Sequence, residues 1–361
     1  MNEKEHFYWL DALRFMAAFM VLLSHTRNDY FVMYGDLPQV QHTIPAFVFY
    51  TFGRLGHEAV IVFFVLSGFL VGGRGLERIK SGTLNVKSYF VDRFSRIYPP
   101  LVISIIFYYI TSLFVPTAEW SFSIALGNLL NLQGVVCKSL VPPFWSLSYE
   151  WWFYMLLASL GVIFRYGKSG IRMIGLGVLF ICVGIFLTKG MRVHYLLIWL
   201  LGAVAYLIRP RQSNKLLCYA SLLGFIVGVG LYQLSKDSES MRILYKIDNR
   251  ALIELLMAFM MCLFIQQIIL IEPRSSFAKY VEKLLGKMGK FSYTLYLSHR
   301  IVMIWIFYFL YKKCAGEMVF CDVMGWISVV FICMGGCWML YLLGERYTLQ
   351  IRRKLKTLFL T

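Results

Sequence analysis

The sequence predicts an all-α polytopic membrane protein with about ten transmembrane helices and both termini in the cytoplasm. Three observations carry that reading. Of 361 residues, 59% are hydrophobic and 15% charged, against about 45–50% apolar and about 25% charged in soluble domains. Mean hydropathy is +0.66. Apolar stretches near the bilayer-crossing length of about 20 residues recur along the whole chain, which is read as a single membrane-embedded domain over 1–361.

Taken in order, the expected spans are 7–26, 53–73, 98–116, 143–164, 171–188, 193–209, 215–234, 251–271, 291–311 and 323–344. The apolar run 45–52 is an extension of the second span, and 117–135 is amphipathic enough for a surface or re-entrant element. The longest polar connections are 74–97 and 272–290. The first span is retained as a helix rather than cleaved as a signal, because it carries Asp11 and Arg14 and ends in Ser-His-Thr without an A-x-A-like site.

The net charge of +17 does not indicate nucleic-acid binding, because Lys and Arg fall in short connections between apolar spans. With the N-terminus inside, the predicted cytoplasmic segments hold more than twice as many Lys and Arg as the external ones. That bias sets the orientation. Among eight cysteines none has metal-ligand or redox spacing, and no metal is expected. Cys182, Cys218, Cys262, Cys333 and Cys337 fall in spans as small hydrophobes, whereas Cys137, Cys314 and Cys321 fall in or near external loops.

The chemistry concentrates in a few polar residues inside apolar segments. Arg14 and His25 stand eleven residues apart in the first span. Eleven steps make three turns plus about 20°, so both share one face, roughly 16 Å apart along the axis. An arginine near mid-membrane costs at least about 2.5–3.5 kcal/mol, and Asp11, one turn away, is placed to neutralise it. His25 near the outer end is a candidate general base. Glu150 falls about two turns into the fourth span, where an ionisable residue is a functional candidate able to orient a histidine.

Arg93 and Arg96 precede the third span three residues apart, a spacing that suits phosphate and equally suits cytoplasmic anchoring. His299 and Arg300 lie about two turns into the ninth span, and His57 and Glu58 form another polar pair at the start of the second. Ser67-Gly68 in the second span permits close helix packing. There is no P-loop, dinucleotide-binding, H-E-x-x-H or G-x-S-x-G motif.

Five of these segments, in order, resemble the acyltransferase-3 family of integral-membrane O-acyltransferases. The family's arginine–ten residues–histidine signature matches Arg14 and His25, and F-F-x-L-S-G-F matches Phe63 to Phe69. Its R-x-x-R-I-Y-P element matches Arg93 to Pro99, W-S-L-x-x-E matches Trp145 to Glu150, and S-Y-x-x-Y-L-x-H matches Ser292 to His299. The resemblance covers nearly the whole chain, in the form without an appended SGNH-type hydrolase domain.

That resemblance implies transfer of an acetyl group from acetyl-CoA to a hydroxyl of a bacterial surface glycan, such as a lipopolysaccharide O-antigen, or of its lipid-linked precursor, in the cytoplasmic (inner) membrane. The expected catalytic set is His25, Glu150 and Arg14. The expected donor-binding set is Arg93, Arg96, Arg14 and His299. His25 would deprotonate the acceptor or relay the acyl group, and the distance to Arg14 is comparable to an extended pantetheine arm. The alternative is a transporter or flippase of a lipid-linked glycan, whose buried polar residues line a path without covalent chemistry.

Overall fold

A computed structural model describes residues 8–165, 170–187, 191–237, 250–271, 275–310 and 322–360. Among the described residues there is no strand, and helices occupy all ten predicted spans. The protein is an all-α polytopic membrane protein. Among the described residues, eight helices are long and apolar enough to cross a membrane. The other two predicted spans are α1 (Tyr8–Tyr30), which carries Asp11 and Arg14, and α9 (Val193–Leu207), which at 15 residues is short for a bilayer.

Where the sequence suggested loops, much of the chain is helical. The run at 45–52 forms a separate helix, α2 (Ile44–Phe52), capped by Thr43 Oγ1 accepting from Ala46 N at 3.4 Å. A turn ending at Leu55 separates it from α3 (Gly56–Ser67), which continues through a π-helical turn (Gly68–Gly73) into α4 (Arg74–Lys80).

The connection expected over 74–97 is therefore mostly helix, since α5 (Val86–Phe114) already begins twelve residues before the apolar stretch. Asn85 starts it by accepting from Ser88 N at 3.0 Å. The helix continues through Pro99 and Pro100, which have no N–H to donate to the carbonyls one turn earlier. Arg93 and Arg96 thus lie within a helix, not in a loop. Similarly, 272–290 holds α12 (Ser276–Gly289), whose polar residues hide its amphipathic period from a hydropathy scan. The stretch 117–135 forms the short α6 (Phe122–Leu129) and a tight turn with Asn131 at φ 56° and Gly134 at φ 78°.

The remaining helices are α7 (Trp145–Arg165), α8 (Gly170–Leu187), α10 (Lys215–Asp237), α11 (Arg250–Ile268), α13 (Ser292–Trp305), α14 (Val323–Leu343) and α15 (Thr348–Leu360). The chain groups into two compact units, each assembled from distant segments. The first comprises Met1–Arg14, Val60–Phe90 and Tyr149–Met288. Its closest packing brings Gly68 of the π turn against Gly202 of α9: a Cβ on Gly68 would run into the Trp199 carbonyl, and one on Gly202 into that of Val65. Small residues at a helix crossing allow such backbone approach where no hydrophobic effect drives association. Phe153 stacks on Trp199 with centroids 5.3 Å apart beside this crossing.

The second unit comprises Phe15–Ala59, Val91–Ser148 and Gly289–Thr361. Here α13 packs along α14, and Asp322 at the start of α14 accepts from Tyr30 Oη at 2.8 Å, fixing the end of α1. Asp92 of α5 receives Arg352 Nε at 2.6 Å and Lys356 Nζ at 2.8 Å from α15.

Of the loop cysteines, Cys314 and Cys321 lie outside the described residues. Cys137 is a free thiol against Gly127, and burial pushes its pKa up, which disfavours the reactive thiolate. The segments 188–190, 238–249 and 311–321, which hold much of the predicted external charge, also lie outside the described residues.

Gly202→Val places a branched side chain against the Val65 carbonyl. Overpacking of this kind typically removes about 1–3 kcal/mol, so the variant should unfold at a lower temperature than the parent in detergent, whereas Gly230→Ala, facing open space, should not.

Candidate active site

In the second unit, α1 and α13 meet through two successive pairs. The rings of His25 and His299 lie with centroids 5.2 Å apart and planes 32° from parallel. One turn further along α1, Asp29 forms an ion pair with Arg300, the residue after His299. Positions 25 and 29 share a face of α1 at i,i+4, and consecutive residues of α13 reach them. The ion pair therefore sets the register that brings the histidines together.

His25 is half-buried, but His299 is fully buried at 0% exposure. Its Nδ1 lies 3.0 Å from Leu295 O, while its Nε2 is buried with no hydrogen-bond partner among the described residues. Around it, Cys333 donates its thiol to His299 O at 3.5 Å, and Tyr296 shares a 2.7 Å hydrogen bond with Ser146. Trp326 Nε1 donates to Thr26 Oγ1 at 3.2 Å, tying α14 to the C-terminal half of α1.

The sequence marked His25 and His299 without relating them, and it passed over Asp29. The available signal was Asp29 four residues after His25, matched by a cation directly after His299. Arg27 was also passed over as a loop residue. It is 1% exposed, over the Tyr50 ring at 5.1 Å, and donates from Nε to Gly53 O at 3.4 Å.

Arg14 lies in the first unit, where its Nη1 meets Asp11 Oδ1 at 2.7 Å, the neutralisation expected from the sequence. Glu150 also lies there. It accepts a short hydrogen bond from Tyr154, whose hydroxyl lies 3.4 Å from Ser67 Oγ, and Ser67 in turn accepts from Trp199 Nε1 at 3.3 Å. The Glu150 and Ser67 segments, read separately in the sequence, are thus joined through one tyrosine.

Arg93 and Arg96, on adjacent turns of α5, belong to the second unit and are half-buried. Arg96 has a carboxylate of its own: Glu345 Oε1 lies 3.4 Å from its Nη1, and its guanidinium stands over the Tyr293 ring at 5.6 Å. The other oxygen of Glu345 accepts from both the backbone and the hydroxyl of Thr294 at 2.8 Å. A phosphate at Arg96 would share this cation with a buried carboxylate. Beside these residues α5 and α15 bound an apolar groove of about 580 Å³ with Phe94, Tyr98, Val102 and Tyr347 in its wall and Lys354 its one cation.

A helical membrane protein with two imidazoles side by side holds groups suited to taking and giving protons. Comparison makes the class definite. A family model described as an acyltransferase domain, acyltransferase-3, matches residues 7–345. The chain belongs to the acyltransferase-3 family, and it is a multi-pass membrane acyltransferase. No curated protein and no solved structure matches it.

The Asp29–Arg300 pair is partly exposed, with side chains 32% and 23% accessible. In a cycle of Asp29→Asn, Arg300→Met and the double variant, the two sites should couple by about 1 kcal/mol in thermal unfolding, within the usual range for contacting residues. Additive effects would show that the pair sets no register.

Proposed function

We propose that this acyltransferase moves an acetyl group from acetyl-CoA to a hydroxyl of a bacterial surface glycan, or of its lipid-linked precursor, with His25 as general base. The observation that carries the reading is His25 itself: a half-buried imidazole on α1, beside a second imidazole, in a protein of acyltransferase type. Histidine titrates near neutral pH and is suited to take a proton from a hydroxyl. The acceptor oxygen attacks the thioester carbonyl as His25 takes its proton. The C–O bond forms, the C–S bond breaks, and the coenzyme A thiolate leaves and recovers the proton.

Arg93 and Arg96 would hold donor phosphates at a cytoplasmic face, with Arg96 exchanging part of its contact with Glu345. Arg14, roughly 16 Å from His25 along the helix, would contact the donor along its arm or at its carbonyl, and Glu150 would assist the acceptor side. The reading includes both termini in the cytoplasm and a bacterial inner-membrane location, and the basic-residue bias supports that orientation. His299 is better suited to serving His25 than to touching the donor, because its exposed area is nil.

With radiolabelled acetyl-CoA and membranes containing the full chain, His25→Ala should lower transfer by about 10²–10⁴, the usual contribution of a general base. Near-normal transfer would falsify that role. Arg93→Ala with Arg96→Ala should raise the donor KM, and unchanged donor dependence would reduce these residues to anchors. Acetyl marks on the surface glycan that depend on expression of the chain distinguish transfer from transport.

A further inference from the structure

We propose that His299 is a positioning residue for His25: its Nε2 lone pair accepts the N–H of His25, fixing the tautomer that leaves the other His25 nitrogen free to act as base. This rests on the reading of His25 as the general base.

The tautomer of His299 follows from its surroundings. Leu295 O, 3.0 Å from Nδ1, can only accept, so Nδ1 carries the hydrogen and Nε2 the lone pair. That lone pair is buried and has no donor among the described residues. A buried acceptor left unsatisfied typically costs about 1–3 kcal/mol, and native proteins retain few such groups. The neighbouring polar side chains are committed elsewhere: Tyr296 to Ser146, Cys333 to the His299 carbonyl and Arg300 to Asp29.

His25 can supply the missing donor. An imidazole nitrogen lies about 1 Å from its ring centre, so centroids 5.2 Å apart bring facing nitrogens to about 3 Å, within hydrogen-bond range, after a rotation of the ring. In the resting enzyme the bond orients His25. Once His25 has taken the hydroxyl proton, its N–H becomes part of an imidazolium and the bond is charge-assisted, stronger again for lying in a low-dielectric interior. The bond is therefore worth more in the transition state than before it, which is the condition for raising kcat rather than lowering KM. The cation of Arg300 is matched by Asp29, so the second positive charge of the region is balanced.

Two amide variants separate this role from a structural one. His299→Asn keeps an N–H near the place of Nδ1, and with it the bond to Leu295 O, but has no acceptor where Nε2 was. His299→Gln returns an acceptor oxygen near Nε2. In the radiolabelled transfer assay on the full chain, Asn should lower kcat by about 10²-fold with the donor KM unchanged, while Gln should stay within about tenfold of the parent. A parent-like kcat for Asn, or Gln no better than Asn, overturns the proposal. Because both variants lose the imidazole, their difference decides the matter even if both melt at lower temperature.

A cycle with His25→Ala adds a second readout. A residue acting through His25 has nothing to position once that ring is gone, so His299→Asn should then cost no further activity. An equal loss in both backgrounds also overturns the proposal. If His25→Ala alone transfers normally, the base assignment fails instead, and the two failures are distinguishable.

Discussion

The structure depends on one constraint: a charge or polar group placed among apolar helices must be met by a partner. Asp11 meets Arg14, Asp29 meets Arg300, Asp92 meets Arg352 and Lys356, and Glu345 meets Thr294 and Arg96. In the first unit His194 meets Glu254 at 2.7 Å and Glu77 accepts from Tyr206. Several of these partners are supplied by distant segments of the chain, so satisfying them also selects which helices pack together. In a medium where apolar contact between helices is no better than contact with lipid, such pairs and the small-residue crossing at Gly68 and Gly202 carry the specificity of assembly.

The helices were legible because a span needs a run of apolar residues long enough for the bilayer, and that signal survives without knowledge of neighbours. The Asp11–Arg14 contact was legible for a similar reason, being local to one helix turn. What was not legible was any pairing between helices. Nothing in one sequence says that the first span lies along the ninth, so His25 and His299 stood as separate candidates and Asp29 drew no notice. The helical start of α5 was missed because polar residues there mask the period, and a proline pair within a helix reads as its boundary.

The basic residues divide into two kinds. Arg352, Lys356 and Arg96 have carboxylates within reach and help hold the second unit together. Lys354 lines an apolar groove instead, two residues from each of its paired neighbours and so on the other side of the helix. A topology bias in Lys and Arg counts treats all of these alike, and the structure separates them by what each head group meets. A phosphate at Arg96 would share the guanidinium, which has five N–H donors, with Glu345.

The ion pair between Asp29 and Arg300 joins residues 271 apart in sequence. During synthesis the first helix emerges long before the partner that completes it, an interval on the order of tens of seconds at ordinary translation rates. Throughout that interval the nascent protein carries His25 without His299. A chain cut short just before α13 would have most of its helices and His25 without His299. Assembly of the two imidazoles is thus tied to near-completion of the polypeptide, because the ribosome delivers the helix that carries His299 long after the one that carries His25.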